Sequence, residues 1–257
     1  MSIWNWGGIK KKFNEVKSKY RPNFTKKKYT KKYQGNVYTV FKGNSNYTWI
    51  LDNGHGGMIG GVYQTYGKRS PIWEDGSQLF EGVSNRDFVS GICDVLEKYN
   101  ISYIRLVHTE RDTPLDVRTD LANLLYDIER KRSNKKMIFI SIHSDAWKTK
   151  RANGWSVFTS PGKTHSDIIA QYFADKFKHI FPTERLREDR RDGDSDFEAR
   201  FWVLRKTKMP AILTENFFMT NPRECKKILM NKEGRRLIIK LHFEAIMEID
   251  RLQLIGE

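Results

Sequence analysis

Two histidines and two glutamates, separated by long stretches of chain, have the side chains that metal-assisted hydrolysis requires. His55 stands in the glycine-rich segment Gly54–Gly57, and Glu81, His143 and Glu215 follow it. Two imidazoles and one carboxylate leave the fourth position of a tetrahedral zinc ion open for water, as in catalytic zinc sites. A separate carboxylate can accept the proton of that water and deliver it to a departing amine. We therefore predict a catalytic Zn²⁺ site with His55, Glu81 and His143 as ligands, and Glu215 as the group that handles the proton.

Each of the four residues also has an ordinary explanation when it is taken alone. His55 could be a loop histidine, His143 a hydrogen-bonded core histidine, and Glu81 a surface or helix-capping acid. Glu215 is harder to explain in this way, because an unpaired carboxylate beside a buried strand is costly. The prediction of a metal site therefore depends on the four occurring together.

An α/β fold would bring the four residues together. From Tyr47 onwards, short apolar runs alternate with amphipathic segments, which is typical of a sheet covered by helices. The apolar runs 138–140 and 211–213 predict central strands that are buried on both faces. Predicted strands cover 47–52, 102–107, 136–142, 155–159, 202–204 and 211–214; predicted helices cover 85–99, 115–130, 166–180, 222–230 and 235–252.

The predicted fold class is α/β, with a twisted, mostly parallel sheet flanked by helices. His55, His143 and Glu215 each follow a predicted strand, and the carboxyl ends of parallel strands meet at one edge of the sheet. Glu81 precedes the first predicted helix, so we expect it to reach the same edge from a loop.

The positive charge of the chain is concentrated in its first 42 residues. They carry eleven lysines, one arginine and one glutamate, so +11 of the formal net charge of +15 lies there. No sustained helical or strand period is evident from 10 to 42. We predict a basic arm, flexible or partly ordered, over 1–45 and a single catalytic domain over 46–257. Lysine clusters attract polyanions, so one interpretation is that the arm binds an anionic wall polymer or a nucleic acid. The other interpretation is a solvated segment that aids solubility or packs on a partner, and the sequence does not decide between them.

Composition argues against membrane-spanning and disulfide-rich proteins. No stretch of 18 or more apolar residues occurs, and the start of the chain lacks an apolar secretory segment. We therefore expect a product that is made in the cytoplasm, without a membrane span or signal peptide. The two cysteines, Cys93 and Cys225, lie in helical patterns and lack a CxxC spacing, which indicates neither a disulfide scaffold nor a thiolate zinc site. Nothing in the sequence indicates an oligomeric state.

The motifs around the candidate residues resemble those of zinc-dependent N-acetylmuramoyl-L-alanine amidases of the amidase-3 type. The resemblance spans 47–252 and lies in the following segments: Leu-Asp-Asn-Gly-His-Gly-Gly at 51–57, Glu81 ahead of a helix, Thr-Glu-Arg-Asp at 109–112, Arg118, Ala-Asn at 122–123, Ser-Ile-His-Ser-Asp-Ala at 141–146, and 210–221. It implies hydrolysis of the amide between N-acetylmuramic acid and L-alanine in bacterial peptidoglycan. It also implies that His55, Glu81 and His143 occupy the zinc-ligand positions, and Glu215 that of the catalytic glutamate.

Two departures from the family pattern leave all four positions intact. Asn-Phe-Phe follows Glu215, where members often have a small residue or glycine before the phenylalanine. Ser-Asp follows His143, where Ala-Asn is common. The segment 187–200 is expected to form a loop near the cleft, too short for the autoinhibitory helix of some members, so we expect constitutive activity.

A peptidoglycan substrate lies outside the bacterial cell, which favours a phage lysin or a virion component that opens the wall. Two alternatives stay open: a zinc peptidase or carboxypeptidase acting on wall peptides, and a non-catalytic, basic virion or nucleic-acid-binding protein. His108, His165, His179 and His242 match no family position. Surface or packing roles are expected for His165, His179 and His242.

Overall fold

A large sheet forms the centre of the computed structural model, which describes residues 27–133 and 135–254. The protein has the strands β1 (Lys27–Tyr33), β2 (Asn36–Lys42), β3 (Tyr47–Asn53), β4 (Met58–Ile59), β5 (Val62–Tyr63), β6 (Tyr103–Arg105), β7 (Lys136–Asp145), β8 (Ser156–Thr159), β9 (Phe197–Glu198) and β10 (Ala211–Phe218). Strands β4 and β5 form a separate two-stranded sheet. The helices are α1 (Glu81–Lys98), α2 (Leu115–Ser133), α3 (His165–Ile180), α4 (Trp202–Lys206), α5 (Pro222–Glu224) and α6 (Lys232–Leu252). A π-helical turn, Cys225–Leu229, connects the last two helices.

The centre of the sheet is parallel, as the sequence predicts. Within the described ranges, eight strands pair in the order β1-β2-β6-β3-β7-β10-β8-β9. Strands β6, β3, β7 and β10 all run in the same direction, whereas β1, β2 and β8 join through antiparallel pairs. The mostly parallel α/β fold class is confirmed, and the carboxyl ends of β3, β7 and β10 lie side by side at one edge.

Both faces of the parallel strands are buried under helices. Along β7, Ile138 and Ile140 pack into one apolar cluster, which includes residues of α1, α3 and α6. Their neighbours Met137 and Phe139 pack into a second cluster on the opposite face, with residues of α2 and α4. Successive side chains of a strand point to opposite faces, so burial on both faces requires the unbroken apolar runs seen in the sequence.

The basic segment before residue 46 contributes two strands, which differs from the interpretation that it lacks a strand period. Within the described part, β1 and β2 form an antiparallel hairpin, and β2 pairs with β6. The turn residues Gln34 and Gly35 both have positive φ, +44° and +76°, the geometry that a two-residue hairpin favours. Val40 and Phe41 are buried. The division into an arm over 1–45 and a domain over 46–257 stays a prediction, and 1–26 lie outside the described residues.

Two further elements differ from the sequence prediction. Trp202–Leu204, predicted as a strand, begins the helix α4, with the Arg205 N–H bonded to the carbonyl of Phe201. Three apolar residues fit either a strand or a buried helical turn, so periodicity could not decide between them. Helix α1 begins at Glu81, four residues before the predicted start. Cys93 and Cys225 are free and buried. Among the described helices, none is long and apolar enough to cross a membrane.

Candidate functional site

His55, Glu81 and His143 meet at the carboxyl edge of the sheet, where the sequence analysis expected them. The Oε1 atom of Glu81 lies 3.2 Å from Nε2 of His55 and 3.1 Å from Nδ1 of His143. The two imidazole rings stand nearly perpendicular, with centroids 4.9 Å apart. One donor atom from each residue lies within 4.8 Å of the other two. The three side chains thus form a compact set of two nitrogens and one carboxylate oxygen.

This donor set fits a zinc ion. Donors that bind Zn²⁺ at about 2.1 Å in a tetrahedron are about 3.4 Å apart, close to the separations between Glu81 and the two imidazoles. Burial raises the pKa of Glu81, but the adjacent imidazoles of His143 and His55 outweigh it and hold that pKa well below its ordinary value. Burial also lowers the pKa of His143, which favours the neutral imidazole that a metal requires. The cluster therefore presents an ionised carboxylate and a neutral imidazole together.

Glycines bring the turn between β3 and β4 close to the other two ligands. A Cβ atom on Gly54 would overlap the ring of His143, and a Cβ on Gly82 would overlap the carbonyl of Gly56. His55 itself has φ +69°, a left-handed conformation that non-glycine residues rarely adopt. Its carbonyl accepts a hydrogen bond of 2.8 Å from Arg86, which stabilises this turn. The glycine-rich sequence is thus required by close packing against His143 and helix α1.

Glu81 reaches the cluster from the first turn of α1, which corrects the expectation that it lies in a loop before the helix. The Ser84 N–H donates to the carbonyl of Phe80, which is the N-cap residue of this helix. The Glu81 carboxylate faces the cluster and accepts hydrogen bonds from the Ser144 N–H at 3.3 Å and Asn85 Nδ2 at 3.4 Å. A carboxylate at a helix N-terminus is also stabilised by the helix dipole.

Glu215 lies beside the cluster on β10, directly across from His143 in the parallel pair with β7. Its Oε2 atom is buried and has no hydrogen-bond partner among the described residues. Burial, reinforced by the negative charges of Glu81 and Asp145, raises the pKa of Glu215 well above its ordinary value. A carboxyl group that holds its proton more tightly than usual is suited to accepting and returning one.

A bulge in β10 directly follows Glu215. Phe217 has φ +63°, and its ring is fully buried against Phe177 and Phe181, with centroids 5.9 Å and 5.1 Å away. Glycine adopts this backbone conformation without strain, which explains why the family pattern favours a small residue here. Asn216 donates a 2.9 Å hydrogen bond to the carbonyl of His143. The bulge therefore ties the strand of Glu215 to the strand of His143.

Arg187 stands near the same edge, at the start of the segment 187–200. This segment is predicted as a loop from the sequence, but it contains the short strand β9. The Arg187 guanidinium lies 2.8 Å from Oδ2 of Asp145 and 4.9 Å from the ring centroid of Phe218. The positive charge of Arg187, like that of Lys68, opposes the upward shift of the Glu215 pKa. Sequence reasoning gave neither residue a role, since nothing in the motifs singles out these two cations.

The remaining histidines do not join the cluster. His242 is buried and bonds Thr214 Oγ1 at 3.0 Å and the carbonyl of Ile238 at 2.9 Å. His108 contacts Thr39 Oγ1 at 3.0 Å, and burial lowers its pKa to about 4. His165 and His179 are exposed. These positions agree with packing and surface roles.

Three comparisons with known proteins agree with this geometry. Residues 50–248 match the family described as N-acetylmuramoyl-L-alanine amidase. An endolysin of Bacillus phage SPP1 is 27% identical over 211 residues, which cover 81% of this chain and 68% of the relative. A solved N-acetylmuramoyl-L-alanine amidase from Clostridium difficile 630 superposes with a TM-score of 0.64 at 24% identity, covering 83% of this chain and all of its own. A solved N-acetylmuramyl-L-alanine amidase from Mycobacterium smegmatis superposes with a TM-score of 0.62 at 17% sequence identity, covering 81% of this chain and 98% of its own.

Proposed function

The chain belongs to the N-acetylmuramoyl-L-alanine amidase family, and on that premise we propose how its residues hydrolyse peptidoglycan. The reaction cleaves the amide between N-acetylmuramic acid and the L-alanine that begins the stem peptide. We assign His55, Glu81 and His143 as zinc ligands and Glu215 as the catalytic acid and base. The observation that supports this most directly is the joint position of the three donors and Glu215 at one edge of the sheet.

The metal and the chain have separate tasks in this mechanism. When bound, Zn²⁺ supplies a Lewis acid that polarises a carbonyl and makes water more acidic. His55, Glu81 and His143 would hold it, with two imidazole nitrogens and one carboxylate oxygen as donors. Glu81 contributes a full negative charge, because its pKa lies well below neutrality.

Glu215 moves one proton through the reaction. Its carboxylate accepts a proton from the attacking water as the water oxygen bonds to the carbonyl carbon of the lactyl group. It then returns that proton to the alanine nitrogen as the carbon–nitrogen bond breaks, leaving a lactyl carboxylic acid and a free alanine amine. The acid afterwards releases its own proton to solvent. The buried, unbonded Oε2 atom leaves Glu215 free of competing hydrogen bonds within the described residues.

Product analysis on purified wall tests the bond that is cut. The amidase reaction creates new N-terminal alanine without new reducing sugar ends. Release of free terminal amino acids would instead indicate the peptidase or carboxypeptidase alternative. Wall that stays intact under metal-replete conditions would favour a non-catalytic virion or nucleic-acid-binding protein. A sample inactivated by a chelator and restored by Zn²⁺ would support zinc as the metal.

The likeness to a phage endolysin supports the proposal that this protein acts as a phage lysin or virion component on the bacterial wall. We further propose that the basic segment over 1–45 binds an anionic polymer and that 46–257 carry out catalysis. Exposed lysines on β1 support the first part: Lys27, Lys28, Lys31 and Lys32. Lys28 is partly engaged, since it pairs with Glu97 at 2.7 Å.

A further inference from the structure

The two ring nitrogens of His143 have different neighbours. Nδ1 lies 3.1 Å from Oε1 of Glu81, on the side of the proposed metal. Nε2 lies 3.1 Å from Oγ of Ser141, two residues earlier on β7. The hydroxyl of Ser141 is in turn 2.8 Å from Oδ2 of Asp52, and the guanidinium of Arg118 lies 2.5 Å from Oδ1 of the same carboxylate. A chain of hydrogen bonds therefore leads from Arg118 to the imidazole.

The direction of each hydrogen bond in this chain follows from the chemistry of its members. Arg118 only donates, and the carboxylate of Asp52 only accepts. Ser141 has a single hydroxyl proton, and the carboxylate of Asp52 takes it. The oxygen of Ser141 can then act only as an acceptor towards His143, so Nε2 of the imidazole must carry a proton. The lone pair is left on Nδ1, which faces Glu81.

The chain is buried along its whole length. Ser141 is fully buried, and Asp52 and Arg118 are each 1% exposed. Water therefore cannot readily replace the partner that any member loses, and an unpaired group would carry the full cost of desolvation. Burial of this kind holds the imidazole in one orientation and one tautomer.

The other histidine of the cluster is linked to the same guanidinium. Arg118 donates to the carbonyl of Asn53 at 2.7 Å and to the carbonyl of His55 at 3.3 Å. It also donates to the carbonyl of Thr113 at 2.8 Å, which fixes it to the start of helix α2. One cation thus supports the turn that carries His55 and the hydrogen-bond chain that ends at His143.

We propose that Ser141 and Asp52, anchored by Arg118, are positioning residues that keep the proton of His143 on Nε2 and present Nδ1 to the metal. Outer hydrogen bonds to a ligand histidine fix its tautomer and raise its basicity, and their loss typically weakens metal binding about 10- to 100-fold. The inference rests on the proposed zinc site, because it concerns how tightly that site binds its ion.

Zinc affinity of the full chain, measured by competition with a chromophoric chelator, tests the proposal. Ser141→Ala should weaken binding about 10- to 100-fold. Ser166→Ala is the matched control: this buried serine accepts a hydrogen bond of 3.0 Å from the Ala211 N–H, at the opposite end of β10. Its variant should bind zinc like the wild type. Equal affinities of the two variants would overturn the proposal, whereas a wild type that binds no zinc would overturn the zinc site itself.

A second measurement needs no variant and keeps the test independent of folding defects. Nitrogen-15 shifts of the ring nitrogens in the zinc-loaded wild type report which nitrogen of His143 carries the proton. The proposal requires a protonated Nε2 and a metal-bound Nδ1. An imidazole that is protonated on Nδ1 and binds through Nε2 would refute it.

Discussion

Gly54 and His143 are packed so closely that any side chain at position 54 would occupy the space of the imidazole ring. The Gly54 N–H donates to the carbonyl of Ile142 at 3.1 Å, which holds the two strand ends together. The glycine is therefore required by the position of a proposed ligand and not by the flexibility of its turn.

Gly54→Ala should displace His143 and weaken zinc binding on the order of 100-fold, a loss comparable with those caused by disturbing a ligand's support. Overpacking should also lower the free energy of unfolding by about 1–3 kcal/mol. Chelator competition and urea unfolding measure the two effects. Gly60→Ala is the control, since a Cβ there meets nothing within 4 Å. It should retain wild-type affinity despite the strain of its φ of +54°.

Glu215→Gln should lower the rate of amide hydrolysis by about 10²- to 10⁴-fold, because the amide side chain cannot take up the proton of water. Zinc content should stay unchanged, since Glu215 is not a proposed ligand. Release of N-terminal alanine from soluble wall fragments and metal analysis provide the readouts. Glu233→Gln, at an exposed site in the first turn of α6, should behave as wild type. Loss of the metal from the Glu215 variant would reassign that residue to ligation.

Removal of residues 1–42 should destabilise the protein, because β2 lies inside the sheet. Phe41 is 1% exposed and stacks on Tyr103 with ring centroids 5.4 Å apart. Loss of such a side chain alone typically costs about 3–5 kcal/mol. Removal of 1–26 leaves β1 and β2 intact and serves as the comparison. Melting temperatures that fall equally in both truncated chains would contradict the prediction.

Asp196 should make stability fall as pH rises towards neutrality. Burial, with the neighbouring Asp194 carboxyl adding to it, raises the pKa of Asp196 to about 7. The unfolded chain releases this proton near its ordinary pKa of about 3.9, so between these values the folded state binds more protons and loses stability with increasing pH.

Asp196→Asn removes this dependence. Relative to the wild type, the free energy of unfolding of the variant should rise between pH 5 and 7, by at most about 1.4 kcal/mol per pH unit. Urea unfolding at pH 5, 6 and 7 measures the difference, with the exposed Asp192→Asn as control. A difference between variant and wild type that stays constant across this range would rule out an elevated pKa.

Neutralising the four exposed lysines of β1 with glutamine should reduce retention on an anionic polymer and flatten its salt dependence. Teichoic acid and duplex DNA, tested separately, distinguish the two expected partners. The control replaces four exposed lysines elsewhere: Lys163, Lys206, Lys227 and Lys232. Equal losses in both variants would indicate a general charge effect without a binding surface on β1. Hydrolysis of soluble wall fragments should be unaffected in either case.

The sequence predicts the parts of this fold that apolar burial determines. Ile138 and Ile140 belong to a strand that is covered on both faces, and the unbroken apolar run around them predicts this burial. His143 and Glu215 follow the predicted strands and lie near the carboxyl ends of β7 and β10, which parallel pairing brings together. The apolar pattern therefore predicts the strands that bring the candidate residues together, whereas their order in the sheet comes from the structure.

The remaining features depend on contacts that have no local sequence pattern. The lysines of β1 hide its strand character, although Gln34-Gly35 is a recognisable turn signal. In the sequence, Glu81 is an acidic residue ahead of a predicted helix. In the structure, its carboxylate faces the imidazoles of His55 and His143. Ser141 and Asp52 stand within recognised motifs, yet only their distances to His143 and Arg118 reveal a shared role.

Among the described strands, β1 lies at the outer edge of the sheet, where a second copy of the chain could add another strand. Lysines along such an edge repel the same edge of a neighbouring molecule and so oppose aggregation. Any anionic polymer that neutralised these lysines would remove this repulsion. Neutralisation of this edge would therefore lower colloidal stability, and saturating the protein with a polyanion should bring copies together edge to edge.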